Sequence, residues 1–187
     1  MPRPIACSVF IATSLDGYIA REDGALDWLP QIAEEHGYDA FMATIDAHVI
    51  GRHTFEWVLA YGGPWLYTKP VVVLTSGAPP AELPGEARDL EFMAGDPRAV
   101  VARLAERGWT SLYVDGGVTI QRFLEARLIT RMILTRVPVV IGRGIPLFGP
   151  TARDIVLEHV GTKAFASGLV TSEYRVVRPA EREQDRS

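Results

Sequence analysis

The chain has 187 residues, of which 48% are apolar and 22% are charged, and its formal net charge at pH 7 is -4. This length and composition are typical of one globular domain with a substantial core. The small acidic excess argues against a nucleic-acid-binding surface, which normally shows an excess of basic residues. No apolar run approaches the roughly 18 residues that would predict a membrane span. We therefore expect the partner to be a small molecule, and neither a nucleic acid nor a membrane.

The single cysteine, Cys7, excludes an intrachain disulfide and favours a reducing compartment, so we expect a cytoplasmic protein. Arg3 precedes an apolar stretch, as in a signal peptide. That stretch is short and contains Ser8, so it predicts the first strand of the fold instead. We expect one domain over residues 1–178 and a disordered, charged tail over residues 179–187.

Apolar periodicity predicts strands alternating with helices up to about residue 128. The predicted strands cover residues 5–13, 48–51, 71–75, 90–93, 111–114 and 128–140. The predicted helices cover about residues 31–45, 54–61, 97–107 and 118–126. Residues 155–163 and 169–177 alternate in polarity, which predicts a closing antiparallel hairpin. The pattern predicts an α/β fold with a mixed, mostly parallel sheet between two layers of helices.

The helix over residues 97–107 carries the clearest boundary signals in the chain. Asp96 can cap its N-terminus, and Pro97 suits the first helical position. Gly108 can end it, because glycine readily adopts the left-handed conformation.

The segment Gly51-Arg52-His53-Thr54 connects a predicted strand to a predicted helix. The glycine allows a ligand to approach the backbone, and the free N–H groups of a first helical turn favour an anion. The Arg52 guanidinium can form two parallel bonds to a phosphate, and the Thr54 hydroxyl can bond a phosphate or cap the helix. Spacing alone equally allows an ordinary strand–helix junction with a solvated Arg-His pair.

A second such junction is Val114-Asp115-Gly116-Gly117. It can place free N–H groups beside a phosphate or ribose, or it can be a tight turn that needs glycine for its backbone angles. Burial could raise the pKa of Asp115 and make its carboxyl group a proton donor. The same side chain could equally cap the turn or bond a ribose.

These segments resemble the dihydrofolate reductase family, in which a strand ends in Gly-Arg-x-Thr, an aromatic residue and Glu, as in residues 51–56 here. Further matches are Ala12 with Ile19 seven positions later, Trp28, Thr75-Ser76, Gly116-Gly117 and Leu134-Thr135. The chain is still more similar to the riboflavin-pathway pyrimidine reductase branch of that fold, and in particular to its stand-alone bacterial members. That similarity is carried by Ser-Leu-Asp-Gly (14–17), an acid before Gly-Gly, and Gly-x-Gly-x-x-Leu-Phe (142–148).

The resemblance implies an NADPH-dependent reductase and a homodimer as the common assembly. Asp115 is the acid that we expect to be catalytic, by orienting the substrate or supplying a proton. The cofactor-binding residues that the resemblance implies are Ala12, Ile19, Gly51, Arg52, His53, Thr54, Thr75, Ser76, Gly116, Gly117, Val118 and Thr119. Substrate contacts are expected from Trp28, Phe41 and Thr135. No metal is expected, because the four histidines show no ligand spacing.

Two departures from the family patterns bear on the substrate. The first-helix carboxylate of folate reductases falls near Gly37, with Asp39 the nearest acid downstream. The Asp-Asp-Pro of pyrimidine reductases is absent after Thr54, where Phe55-Glu56-Trp57 follows. We expect hydride transfer to a small pterin-like or pyrimidinone-like heterocycle. The alternative is a nucleotide-binding or sensor protein without catalysis on the same fold.

Overall fold

The computed structural model describes residues 4–30, 36–80, 83, 85, 87 and 89–177. The strands are β1 Ala6–Ser14, β2 Tyr18–Ala20, β3 Ala47–Gly51, β4 Val71–Leu74, β5 Leu90–Met93, β6 Ser111–Asp115, β7 Ile129–Val137, β8 Ile145–Pro146, β9 Leu157–Ala164 and β10 Val170–Val176. The helices are α1 Tyr38–Met42, α2 Arg52–Tyr61, α3 Pro97–Ala105 and α4 Gly117–Glu125.

The main sheet has eight strands in the order β5-β4-β3-β6-β1-β7-β10-β9. The strands from β5 to β7 run parallel, whereas β10 is antiparallel to both β7 and β9. The short strands β2 and β8 form a separate antiparallel ribbon. Because the parallel strands end at the same edge of the sheet, the turns that lead into the helices meet there.

Two layers of helices cover the sheet. On one face, Phe41 of α1 packs against Phe10 and Tyr113, and Phe55 of α2 packs against Ile50 and its neighbours. The opposite face packs against α3 and α4 through a larger cluster that includes Val9, Val49, Val100, Leu104, Ile120 and Phe123. This arrangement, with its C-terminal hairpin, confirms the predicted three-layer α/β fold.

The boundaries of α3 follow the predicted signals. The Asp96 carboxylate accepts a hydrogen bond of 2.8 Å from the backbone N–H of Arg98, and Pro97 occupies the first turn. Gly108, just beyond the end of the helix, has a φ of +84°. The first turn of α3 is therefore capped by its own neighbouring side chain.

Elsewhere the helix boundaries differ from the prediction. Among the described residues 36–45 of the predicted helix 31–45, only α1 is helical, and it begins after Gly37, whose φ is +88°. Residues 31–35 and the predicted tail, residues 179–187, lie outside the described residues. Helix α2 begins at Arg52, two residues before the predicted start, directly after the last strand residue. The pairing of β2 with β8 was not predicted, because strands of three and two residues carry no periodicity.

Candidate functional site

The two strand-to-helix junctions that the sequence singles out lie side by side. Strands β3 and β6 are neighbours, and Ile50 is paired with Asp115. A Cβ atom on Gly51 would lie 2.6 Å from Thr119 Oγ1, and one on Gly116 would lie 2.3 Å from Thr54 Oγ1. The threonine side chain of each helix therefore lies against the glycine that precedes the other helix. Gly51 is required for this contact between junctions, rather than only for the ligand approach that the sequence predicts.

Helices α2 and α4 both begin after a glycine, and among the described residues neither receives a side-chain cap. The first N–H groups of a helix have no partner within the helix. Together with the helix dipole, they favour a negative charge at that end. The contact between the two junctions brings these two helix ends together, so they can bind one anion or two linked ones.

The Arg52 guanidinium lies at the outer side of this pair of junctions. Its Nε donates a hydrogen bond of 2.6 Å to Glu56 Oε1, and its Nη1 donates one of 3.1 Å to Ala78 O. A Cβ on Gly77 would lie 2.5 Å from Nη1, so the chain after β4 passes close to the guanidinium. The hydrogen bond that Arg52 donates to Glu56 lowers the pKa of the Glu56 carboxyl. An incoming anion would compete with Glu56 for the arginine.

A cavity of about 1180 Å³ opens at these junctions. Ligand pockets commonly measure about 300–1,000 Å³, so this one can hold more than a single small molecule. It is lined by the predicted residues Ala12, Ile19, Trp28, Gly51, Arg52, His53, Thr54, Thr75, Ser76, Asp115, Gly116, Gly117, Val118, Thr119 and Thr135. The structure thus gathers these residues, which lie far apart in the sequence. Their individual roles stay predictions.

Phe41 is the one predicted site residue that does not line this cavity. Its side chain is 3% exposed and packs between Phe10 and Tyr113, and it borders a separate pocket of about 530 Å³. Tyr38, the first residue of α1, lines the large cavity.

The β2–β8 ribbon forms one rim of the cavity. A Cβ on Gly117 would lie 3.0 Å from Ile19 Cδ1, which places β2 against the start of α4. The Asp16 carboxylate accepts a hydrogen bond of 2.8 Å from the N–H of Gly142 and ties the two loops together. This contact joins residues 14–17 and 142–148, the two segments that carry the pyrimidine reductase resemblance.

Two predicted substrate residues lie at the β1–β7 side of the cavity. Thr135 is paired with Ala12, and its hydroxyl forms a hydrogen bond of 2.8 Å with Thr171. Trp28 packs against Val137, and its indole N–H has no partner among the described residues.

Asp115 stands at the carboxyl end of β6, where it is half-buried. Its Oδ1 accepts a hydrogen bond of 2.7 Å from the N–H of Gly116. Burial raises the pKa of the Asp115 carboxyl, and the Gly116 N–H opposes this rise by stabilising the ionised form. The carboxyl group therefore keeps its proton to a higher pH than an exposed aspartic acid would, which suits a proton donor.

Three tyrosines that the sequence reasoning missed also line the cavity, namely Tyr38, Tyr67 and Tyr113. Burial, and then the negative charge of Asp115, raises the pKa of each hydroxyl. Strand alternation offered a signal for Tyr113, since it lies two residues before Asp115 on the same face. Tyr67 lies in the irregular segment between α2 and β4, where the sequence has no such signal.

Neither a metal centre nor a membrane span is found in the part of the chain that the structure describes. No group of three or more His, Cys, Asp or Glu side chains there could hold a metal ion. None of the described helices is long and apolar enough to cross a bilayer.

Comparisons with known proteins agree with this architecture. A family model described as the RibD C-terminal domain matches residues 64–171, which is more than half of the chain. The uncharacterized Bacillus subtilis protein YwjB is 33% identical over 164 residues, which cover 86% of this chain and 92% of that protein.

Two solved structures extend the comparison. A protein from Shewanella sp. PV-4, assigned provisionally to riboflavin biosynthesis, has a TM-score of 0.86 and 38% identity over 93% of this chain and all of its own. Dihydrofolate reductase from Enterococcus faecalis, complexed with NADP(H), has a TM-score of 0.65 and 16% identity over 95% of this chain and all of its own. The second likeness is one of fold, and the fold is of the reductase type. The chain belongs to the family of the RibD C-terminal domain.

Proposed function

We propose that this protein is an NADPH-dependent reductase that transfers hydride to a small heterocycle of the pterin or pyrimidinone kind. One observation carries the proposal: the starts of α2 and α4, without side-chain caps among the described residues, lie together at the cavity. Arg52 adds a cation at the same place. This combination suits a ligand with several phosphates.

The residues at the junctions fit the phosphates of a dinucleotide. The N–H groups at the starts of α2 and α4 would hold the pyrophosphate. Arg52, with the hydroxyls of Thr75 and Ser76, would hold the additional phosphate that distinguishes NADPH from NADH. The NADP(H) in the fold-related dihydrofolate reductase of Enterococcus faecalis supports this choice of cofactor.

The part of the cavity beside β1 and β2 would take the nicotinamide and the substrate. Ala12, Ile19 and Thr135 line it, and the small side chain of Ala12 leaves room for a flat ring. NADPH supplies the hydride when it is bound. Asp115 would give a proton to the substrate, so that hydride and proton together saturate one double bond, and would recover its proton from solvent.

Titration with NADPH and with NADH tests the cofactor. Trp28 and Trp57 line the cavity, so their fluorescence should change on binding. A ligand that binds only the folded state stabilises it, by about 2.7 kcal/mol at a hundredfold excess over Kd. We expect NADPH to raise the Tm at lower concentrations than NADH. Absence of binding by either nucleotide would overturn the proposal.

Turnover is tested by following NADPH oxidation with a panel of pterins and pyrimidinones. Oxidation that depends on one of these compounds supports a reductase. Nucleotide binding without turnover of any compound would favour the non-catalytic alternative. We retain the homodimer as part of the proposal, and the mass measured in solution by light scattering tests it.

A further inference from the structure

The basic side chains of the cavity are placed unevenly. Among its described lining residues, Arg52 and Arg122 are the only Lys or Arg side chains. Arg52 begins α2 and bonds Ala78 O beyond β4, and Arg122 Nη2 donates a hydrogen bond of 3.3 Å to Gly95 O beyond β5. Both contacts lie toward the β4–β5 side of the sheet, where the proposed nucleotide phosphates would lie.

The part of the cavity beside α1 and β6 is aromatic and acidic. Tyr38 lies on α1 with its ring 5.4 Å from that of Phe10 on β1, and Phe10 O accepts a hydrogen bond of 2.6 Å from Tyr113 Oη. Asp115 follows Tyr113 on the same face of β6. These contacts hold Tyr38 near the carboxyl group of Asp115.

Tyr67 is brought to the same place by two successive ring contacts. Its ring centroid lies 4.7 Å from that of His48, which in turn lies 5.1 Å from that of Tyr113. His48 and Tyr113 are also register partners in the sheet. After burial, the negative charge of Asp115 raises the pKa of Tyr38 and of Tyr67, and Tyr38 also raises the pKa of Tyr67. Asp115, Tyr38 and Tyr67 thus lie on three separate segments and border one part of the cavity, which we call the chamber.

A phosphate would be poorly accommodated in this chamber. It would face the Asp115 carboxyl with the imidazole of His36, stacked on Tyr38 at 6.2 Å, as the basic group beside it. Glu22 and Asp23 add further acidic groups to the cavity wall. The only Lys or Arg side chains among the described lining residues, Arg52 and Arg122, bond carbonyl groups beyond β4 and β5. Desolvating a phosphate beside carboxylates is unfavourable.

We propose that the substrate is a heterocycle without a phosphate group, bound between the Asp115 carboxyl and the hydroxyls of Tyr38 and Tyr67. The proposal rests on the reductase function proposed above and narrows its substrate class. A ring N–H or amino group would donate to Asp115, and the tyrosine hydroxyls would bond ring carbonyl or nitrogen atoms. Tyr38, Tyr67 and Asp115 would thus contact the substrate directly.

The test uses pairs of compounds that differ by one phosphate. The pairs are 6-hydroxymethylpterin with its phosphate ester, and uridine with uridine monophosphate. Each is titrated by calorimetry into the full chain saturated with NADP⁺, so that a monophosphate cannot occupy the nucleotide site. We expect the phosphate-free member of at least one pair to bind about tenfold or more tightly, which corresponds to about 1.4 kcal/mol.

Substitutions then locate the bound compound. Tyr38→Phe and Tyr67→Phe should each weaken the phosphate-free compound about threefold to tenfold, as expected for loss of one hydrogen bond. NADP⁺ affinity should stay the same. Tyr174→Phe, which removes a hydroxyl on β10 away from the cavity, is the matched control and should change neither affinity.

Each result has one meaning. Equal or tighter binding of the phosphorylated member in every pair that binds overturns the proposal, as does binding of no compound. If the Tyr38 and Tyr67 variants bind the phosphate-free compound as tightly as the Tyr174→Phe control does, the compound binds elsewhere, and this result would also overturn the proposal. If NADP⁺ itself fails to bind, the reductase function fails, and the same pairs titrated into the nucleotide-free protein still decide the substrate class.

Discussion

The starts of α3 and of the pair α2 and α4 show two ways to treat the same chemical problem. Every helix begins with N–H groups that lack a partner within the helix. At α3 the Asp96 carboxylate accepts from one of them, and Pro97 at the first position has no N–H to satisfy. At α2 and α4 a glycine precedes the helix, and no side chain among the described residues caps it.

In α3 a side chain of the protein already bonds a first-turn N–H group, whereas in α2 and α4 these groups can bind a ligand. The α3 end serves only the fold. The α2 and α4 ends are held together by the reciprocal glycine–threonine contacts and open to the cavity of about 1180 Å³. Substitutions at each type of helix end should therefore have different consequences.

Asp115→Asn should have the largest effect. Asp115 precedes α4 much as Asp96 precedes α3, but it lines the cavity and its pKa is raised. An amide cannot donate the proton, so we expect turnover with an identified substrate to fall about 10²–10⁴-fold. NADPH affinity should stay nearly unchanged. Asp39→Asn, at an exposed acid on α1 outside the cavity, is the control.

The same variant should change stability in a pH-dependent way. Because the folded pKa is raised, the unfolded state ionises at lower pH, so stability is lost as pH rises from the unfolded value through the folded one. Asp115→Asn removes that loss, and we expect a higher Tm than the natural chain at pH 7. An equal Tm at pH 7, or full turnover in this variant, would contradict the proposed role of the carboxyl.

Gly116→Ala should separate the interlocked junctions. The new Cβ would lie 2.3 Å from Thr54 Oγ1 at a φ of +92°. Strain and overpacking together should lower the free energy of unfolding by about 2–4 kcal/mol, as measured by urea denaturation. Gly108→Ala is matched in φ, at +84°, but has no atom within 4 Å, so it should cost about 1–2 kcal/mol. Equal losses in the two variants would mean that the contact is unimportant.

Arg52→Gln tests the cation beside the open helix ends. It removes the charge that we assign to the additional phosphate of NADPH, so NADPH affinity should fall about tenfold to a hundredfold while NADH affinity changes little. Binding isotherms for both nucleotides measure this. Arg153→Gln, at an exposed arginine outside the cavity, provides the control. A parallel loss for both nucleotides would assign Arg52 to a phosphate that they share.

Asp96→Ala should have the smallest effect, and it should be confined to the fold. Loss of the cap should lower the free energy of unfolding by about 1 kcal/mol. Nucleotide affinity should not change, because the start of α3 is not part of the cavity. Thermal unfolding and an NADPH titration measure the two quantities. A marked loss of NADPH affinity would show that the two kinds of helix end are coupled.

The sequence alone determined most of the fold. Alternating strand and helix patterns, and glycines at their junctions, predicted the parallel sheet, its helical layers and the closing hairpin. The signals at Asp96, Pro97 and Gly108 also predicted the capped helix α3. These features could be predicted because each depends on residues that are close together in the chain.

Local patterns were less informative about the site. Periodicity put Phe41 on the buried side of its helix, which the structure confirms. Its aromatic ring also suggested substrate contact, but Phe41 lies in the core and does not line the cavity. Gly51 illustrates a different limit. Its presence suggested a ligand, whereas its close neighbour is Thr119, far along the chain.

The sequence by itself determined the fold class, the two glycine junctions and the acid at the end of β6. Only the tertiary structure decided that these junctions interlock, that Arg52 bonds Ala78 O beyond β4, and that Tyr38 and Tyr67 join Asp115 in one chamber. The physical reason is that backbone patterns depend on neighbouring residues. Charge balance and side-chain contacts in a cavity depend on segments that meet only after the sheet has assembled.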